Sequence, residues 1–105
     1  ALINTLMRLK DDGVVATFYL DGRQKALVMI LYGKSIVVAM SDDYVVGVIS
    51  IREVTAGNPR PDYIVYNNWN QVTDEADKEA QRLKIPLVKY GRFRYIIDDL
   101  LKTTR

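Results

Sequence analysis

Residues 62–93, DYIVYNNWNQVTDEADKEAQRLKIPLVKYGRF, change character twice, from apolar to a charged helical pattern and back to apolar. The apolar run from Tyr63 to Tyr66 has the length of a buried strand and leads into polar residues. Thr73 then supplies a helix N-cap, with Asp74 and Glu75 in the first turn, where carboxylates oppose the helix dipole favourably. Ala76, Ala80 and Leu83 recur at i, i+4 and i+7, a stripe small enough to lie close on a sheet. Pro86 stops this helix, and LVKY (87–90) is the next strand. Gly91 turns the chain, and RFRYIIDDLLK (92–102) returns to helical spacing through Phe93, Ile96, Ile97, Leu100 and Leu101. Strand, helix and strand at this spacing require a crossover, hence a parallel strand pair. The segment is a βαβα unit.

Toward the N-terminus the pattern changes. VVATFYL (14–20), ALVMILY (26–32), IVVAM (36–40) and YVVGVISIREV (44–54) are all rich in β-branched and aromatic residues. They are separated by Asp21-Gly22, Gly33-Lys34-Ser35 and Ser41-Asp42-Asp43, which are turn sequences. Connections this short predict an antiparallel meander from Gly13 to Val54. Several runs are apolar at consecutive positions, which predicts a sheet covered on both faces. Before Gly13, Leu2, Ile3, Leu6, Met7 and Leu9 stand at helical spacing, so residues 1–12 read as an amphipathic helix on one face. TAGNPRP (55–61) is a breaker cluster too short to separate domains. The expectation is one α/β domain over residues 1–105: an N-terminal helix, an antiparallel meander, then the parallel βαβα unit.

Composition bounds the chemistry. Hydrophobic residues make up 49% of the 105, enough for a core. Fifteen basic and 13 acidic residues leave a net charge of +2, too balanced to argue for nucleic acid by charge alone. Cysteine and histidine are both absent, which excludes disulfides, thiolate or imidazole zinc sites and histidine acid–base chemistry. A metal would have to be held by Asp, Glu and backbone oxygens, which points to magnesium or manganese. No run approaches the roughly 20 apolar residues of a membrane helix, and a soluble, cytoplasmic protein is expected.

A helix, an antiparallel meander and a parallel βαβ pair form the architecture of the restriction-endonuclease-like, PD-(D/E)xK, nucleases. Residues 62–100, DYIVYNNWNQVTDEADKEAQRLKIPLVKYGRFRYIIDDL, resemble the C-terminal half of the Mrr-type members. The resemblance implies a nucleic-acid substrate. It also implies an acid followed on the next strand by (D/E/Q)-x-K, in which carboxylates hold magnesium and the lysine positions the attacking water. This chain departs from that signature. After Asp21, ALVMILYGK carries no acid or glutamine before Lys34; after Asp43, the residues are Ser50-Ile51-Arg52 and Glu53. The family's helix after that strand also has no room, because only TAGNPRP precedes Asp62. The signature is degenerate.

Two groups of side chains remain as candidates. Asp43 and Glu53, near strand ends, are the carboxylates that would share a magnesium ion if an active site is kept; Ser-Asp-Asp is otherwise ordinary turn chemistry, and Arg52 with Glu53 an ordinary strand end. Trp69 lies between a strand and a helix start, where α/β folds place ligands. Its indole would stack on a base while Asn67, Asn68, Asn70 and Gln71 contact base edges, sugar or phosphate; the alternative is that Trp69 packs over the core. Lys89, Arg92 and Arg94 interleave with Tyr90, Phe93 and Tyr95, as in a nucleic-acid groove or on any solvated helix, and Arg60 is expected nearby. Tyr19, Tyr32 and Tyr44 on apolar strands suit a homodimer seam. The expected function is a DNA- or RNA-associated binding or scaffolding protein, DNA favoured, that needs no cofactor. The alternatives are a magnesium-dependent DNA endonuclease and a protein–protein interaction subunit.

Overall fold

The computed structural model describes residues 2–22, 24–30 and 34–104. Leu2–Asp11 forms α1, with Leu2, Leu6 and Leu9 buried along one face. Its end is closed by two backbone hydrogen bonds, Val14 N–H to Leu9 O at 3.1 Å and Gly13 N–H to Lys10 O at 3.0 Å. This reversal needs a left-handed residue, and Gly13 takes it at φ +78°. The chain passes directly into β1 (Val15–Asp21), then β2 (Lys25–Ile30) and β3 (Ser35–Met40), which pair antiparallel. Lys34 lies between β2 and β3 as expected and Ser35 already opens β3, whereas Gly33 and Tyr32 lie outside the described residues.

The next segment corrects the strand expected over residues 44–54. Only Val45–Val46 is extended, as β4, and Val48–Thr55 is a helix, α2. Its Val and Ile residues favour a strand locally, but a crossover is needed here, because β3 and the next strand of that sheet, β5 (Tyr63–Tyr66), are parallel neighbours. Ser50 starts the helix: its Oγ accepts from Gly47 N–H at 3.1 Å and donates to Asp43 Oδ2 at 2.6 Å. Ile51 and Val54 are buried on the inner face with Ser50. α2 thus occupies the segment read as a strand, ahead of the breaker cluster.

Beyond β5, Gln71–Val72 forms β6, Asp74–Leu83 forms α3, Leu87–Lys89 forms β7 and Tyr90–Thr104 forms α4. Thr73 caps α3 as expected, accepting from Ala76 N–H at 3.1 Å. Gly91 lies within the first turn of α4 and makes no separate turn. The main sheet has the order β1-β2-β3-β5-β7, antiparallel through β3 and parallel from β3 onward; β4 and β6 form a separate parallel pair.

Alternation along the strands divides the core in two. Ile36, Val38, Met40 and Val65 face α1 and α4, where they meet Leu6, Phe93 and Ile97. Ala39 and Ile64 face the other way, against Ile51 and Val54 of α2 and Ala76 of α3. The sheet is thus covered on both faces from β3 to β7. Over the β1–β2 hairpin no described helix covers the second face, and Tyr19 and Leu27, directly opposite one another, are exposed. Buried Lys25 ends this strip, its Nζ donating to Ala56 O at 2.6 Å and Pro59 O at 3.1 Å. It ties the breaker loop to β2. Among the described residues no helix is long and apolar enough to cross a membrane.

α2 and α3 are joined by charge. Glu79 is buried and accepts from Arg82 Nε and Nη2, both at 2.8 Å, and from Arg52 Nε at 3.2 Å. Arg82 chiefly, and Arg52 against the opposing effect of burial, hold its carboxyl at about 2 rather than 4.5. Because the folded value lies below the unfolded one, the carboxylate stabilises the fold fully above about pH 4.5 and ceases to as the pH falls through about 2. Urea midpoints measured down this range are expected to fall for the wild type and to fall less for Glu79→Gln. Equal slopes for the two proteins would mean that Glu79 does not bridge the helices.

Candidate nucleic-acid interface

The parallel strands β5 and β7 end at the same edge, since Tyr66 is in register with Lys89. Tyr66 leads into a tight turn from Asn67 to Asn70, closed by Asn70 N–H to Asn67 O at 3.0 Å. The Asn70 side chain locks it. Its Oδ1 accepts from Asn67 N–H at 2.8 Å, and its Nδ2 donates to Tyr44 O at 3.2 Å and Asp43 O at 3.4 Å. Gln71 N–H continues the attachment to Tyr44 O at 3.1 Å, beginning the β4–β6 pair. Trp69 stands near the apex and is 66% exposed. The alternative of packing over the core does not hold, and a rigid turn presents the indole to solvent.

Beside Trp69 is a hollow of about 250 Å³. It is lined by Asn67, Asn68 and Trp69 of the turn, by Asn4, Thr5 and Arg8 of α1, and by Tyr90 at the start of α4. The Arg8 guanidinium carbon lies 5.9 Å from the centre of the Tyr90 ring, a cation–π arrangement that aligns α1 with α4. Asn68 lies against the start of α4, its Oδ1 3.8 Å from where a side chain on Gly91 would begin. The first turn of α4 carries no acid, unlike that of α3 with Asp74, Glu75 and Asp77, so the positive end of its dipole is not offset.

The basic candidates separate. Lys89 at the end of β7 and Arg92 in the first turn of α4 are exposed at this edge. Arg94, one turn after Tyr90, pairs with Asp12 beyond α1, Nη2 to Oδ2 at 3.8 Å. Arg60 is held at the other end of the sheet, where it donates to Leu83 O at the end of α3, so it does not join the cluster expected around Tyr90. Sequence reasoning does not single out Asn4, Thr5 and Arg8. Their signal is a polar row at i, i+1 and i+4 on a helix otherwise read as cover.

The two candidate carboxylates have different surroundings. Asp43 precedes β4, its carboxylate engaged by Ser50 and its N–H donating to Ser41 Oγ at 3.1 Å. Glu53 is exposed near the C-terminal end of α2 and lines a second hollow of about 240 Å³ together with Asp21 and Lys25. Asp43 does not line that hollow. Among the described residues no group of three or more His, Cys, Asp or Glu side chains is gathered for a metal ion.

No family model, curated protein or solved structure matches this chain. Its mixed sheet, antiparallel and then parallel, is compatible with a restriction-endonuclease-like fold without being specific to it.

Proposed function

We propose that this chain is a nucleic-acid-binding or scaffolding protein, with DNA the favoured ligand, built on a restriction-endonuclease-like sheet whose catalytic signature is degenerate. The observation that carries this reading is the exposed Trp69 on its locked turn, lining with Arg8 one hollow beside the C-terminal end of β5. Exposing an indole costs hydrophobic free energy, and a turn held by three side-chain hydrogen bonds keeps it exposed. Open α/β sheets bind ligands at this edge. The indole supplies a face for base stacking, while Arg8, Lys89 and Arg92 supply cations for phosphate, and Asn68 a donor and acceptor for base or sugar.

The test is titration of Trp69 fluorescence with short oligonucleotides at rising salt. The tryptophan is unique in the sequence, so the signal is assigned without ambiguity. Quenching that weakens linearly with the logarithm of salt concentration is expected, and Arg8→Ala should reduce that slope by about one. Trp69→Ala, followed by anisotropy of a labelled strand, should lose about 1–3 kcal/mol of affinity. Absence of binding to any oligonucleotide at low salt would remove the proposal.

A further inference from the structure

Resting on the nucleic-acid reading above, we infer that the Trp69 hollow receives a single unpaired nucleotide, and that the protein distinguishes single strands, frayed ends and bulges from closed duplex. Three features of the site lead there. The first is the surface that Trp69 offers. An indole 66% exposed on a locked turn presents a flat π-face. In a closed duplex every base has both faces covered by its neighbours and shows only edges in the grooves. A base can lie on Trp69 only if it has left the stack.

The second feature is size and shape. The hollow is concave and about 250 Å³, below the roughly 300–1,000 Å³ of pockets that enclose drug-sized ligands. It has room for one planar ring system with its sugar. A duplex is convex and projects nothing planar into such a space.

The third is the chemistry of the walls. Asn4 and Asn68 each bring a carboxamide that both donates and accepts, matching Watson–Crick edges that are available only on an unpaired base. In the same hollow Arg8 is held over the Tyr90 ring, which keeps a guanidinium within the volume that a stacked base and its phosphate would share. Aromatic rings, a cation and amides thus converge on one small volume. The hollow is suited to a nucleotide rather than to a groove.

The experiment compares three DNA probes of matched sequence and length: a single strand, a dumbbell duplex with both ends closed, and the same dumbbell carrying one bulged nucleotide. Trp69 quenching and anisotropy are followed with each, for the wild type, Trp69→Ala and Trp69→Phe. The single strand and the bulged dumbbell are expected to quench Trp69 and to bind about tenfold or more tightly than the closed dumbbell. Trp69→Ala should erase that preference, and Trp69→Phe, which restores a stacking ring, should recover most of it. Equal quenching and affinity for the closed dumbbell would overturn the inference while leaving the nucleic-acid reading intact. A preference that survives Trp69→Ala would likewise overturn it, since the selectivity would then arise elsewhere. Failure of all three probes to bind would overturn both.

Discussion

Phe93→Ala is expected to destabilise the protein by about 3–5 kcal/mol, the range for truncating a fully buried aromatic ring. Phe93 is 0% exposed and its ring centre lies 5.8 Å from that of Tyr63, tilted by 59°. It belongs to the cluster of Leu6, Val38, Met40, Val65 and Ile97, so its ring links α4 to the sheet and to α1 at once. Removing it leaves a cavity bounded by three elements that cannot all close in together. Small domains have total stabilities of about 5–15 kcal/mol, so the loss is a large share of the whole. Urea unfolding followed by circular dichroism would show the midpoint fall with little change in slope. Tyr95→Ala on the same helix is the control: Tyr95 is 68% exposed, and a change within about 0.5 kcal/mol is expected. A loss below about 1 kcal/mol for Phe93→Ala would show that α4 is not docked on the sheet.

Asn70→Ala is expected to have the largest effect on the site without direct contact to its ligand. The substitution removes all three hydrogen bonds that hold the Asn67–Asn70 turn against β4. At about 1 kcal/mol for a typical hydrogen bond, and with the geometry of the bond to Asp43 O long, a loss of about 2 kcal/mol of stability is expected. The freed turn no longer fixes the indole, so oligonucleotide affinity should fall by about tenfold even though Trp69 is intact. Thermal melting, anisotropy and amide exchange at Asn67 and Gln71 measure the three effects separately. Asn70→Asp keeps the acceptor for Asn67 N–H and loses both donors, and should fall between the wild type and Asn70→Ala. Asn68→Ala should leave stability within about 0.5 kcal/mol and still weaken binding, because Asn68 lines the hollow and does not brace the turn. Unchanged exchange and affinity in Asn70→Ala would mean that Trp69 is positioned by other contacts.

Strong local signals in the sequence carried through to the structure. Thr73 as an N-cap, Ala76 and Ala80 as a close-packing stripe, the turn at Gly22 after Asp21 ends β1, and Leu2, Leu6 and Leu9 on one helix face each depend on neighbours a few residues away. The failure at Val48–Thr55 has the opposite cause. A run of β-branched residues favours a strand, and only the need to cross from β3 to a parallel β5 makes it a helix. The paired β4 and β6 were equally hidden, because two residues of strand carry no periodicity to read.

The candidate site divides along the same line. Trp69 and Asn68 could be placed at the end of a strand because the strand itself was legible. Arg8 could not be associated with them, since it is brought to Tyr90 from the other end of the chain by the packing of α1 beside α4. Asp43 and Glu53 are paired by a reading of residues 44–54 as one strand; in the fold Glu53, on a helix, lines the hollow of Asp21 and Lys25, and Asp43 is bonded to Ser50. By itself, then, the sequence determined the class of fold, the order of most elements and the position of the tryptophan, because capping, turn chemistry and periodicity act over a few residues. Tertiary structure alone decided that 48–55 is helical, that Trp69 is exposed, and which side chains share its hollow. Those outcomes depend on contacts between residues far apart in the chain, and a contact of that kind leaves no local pattern.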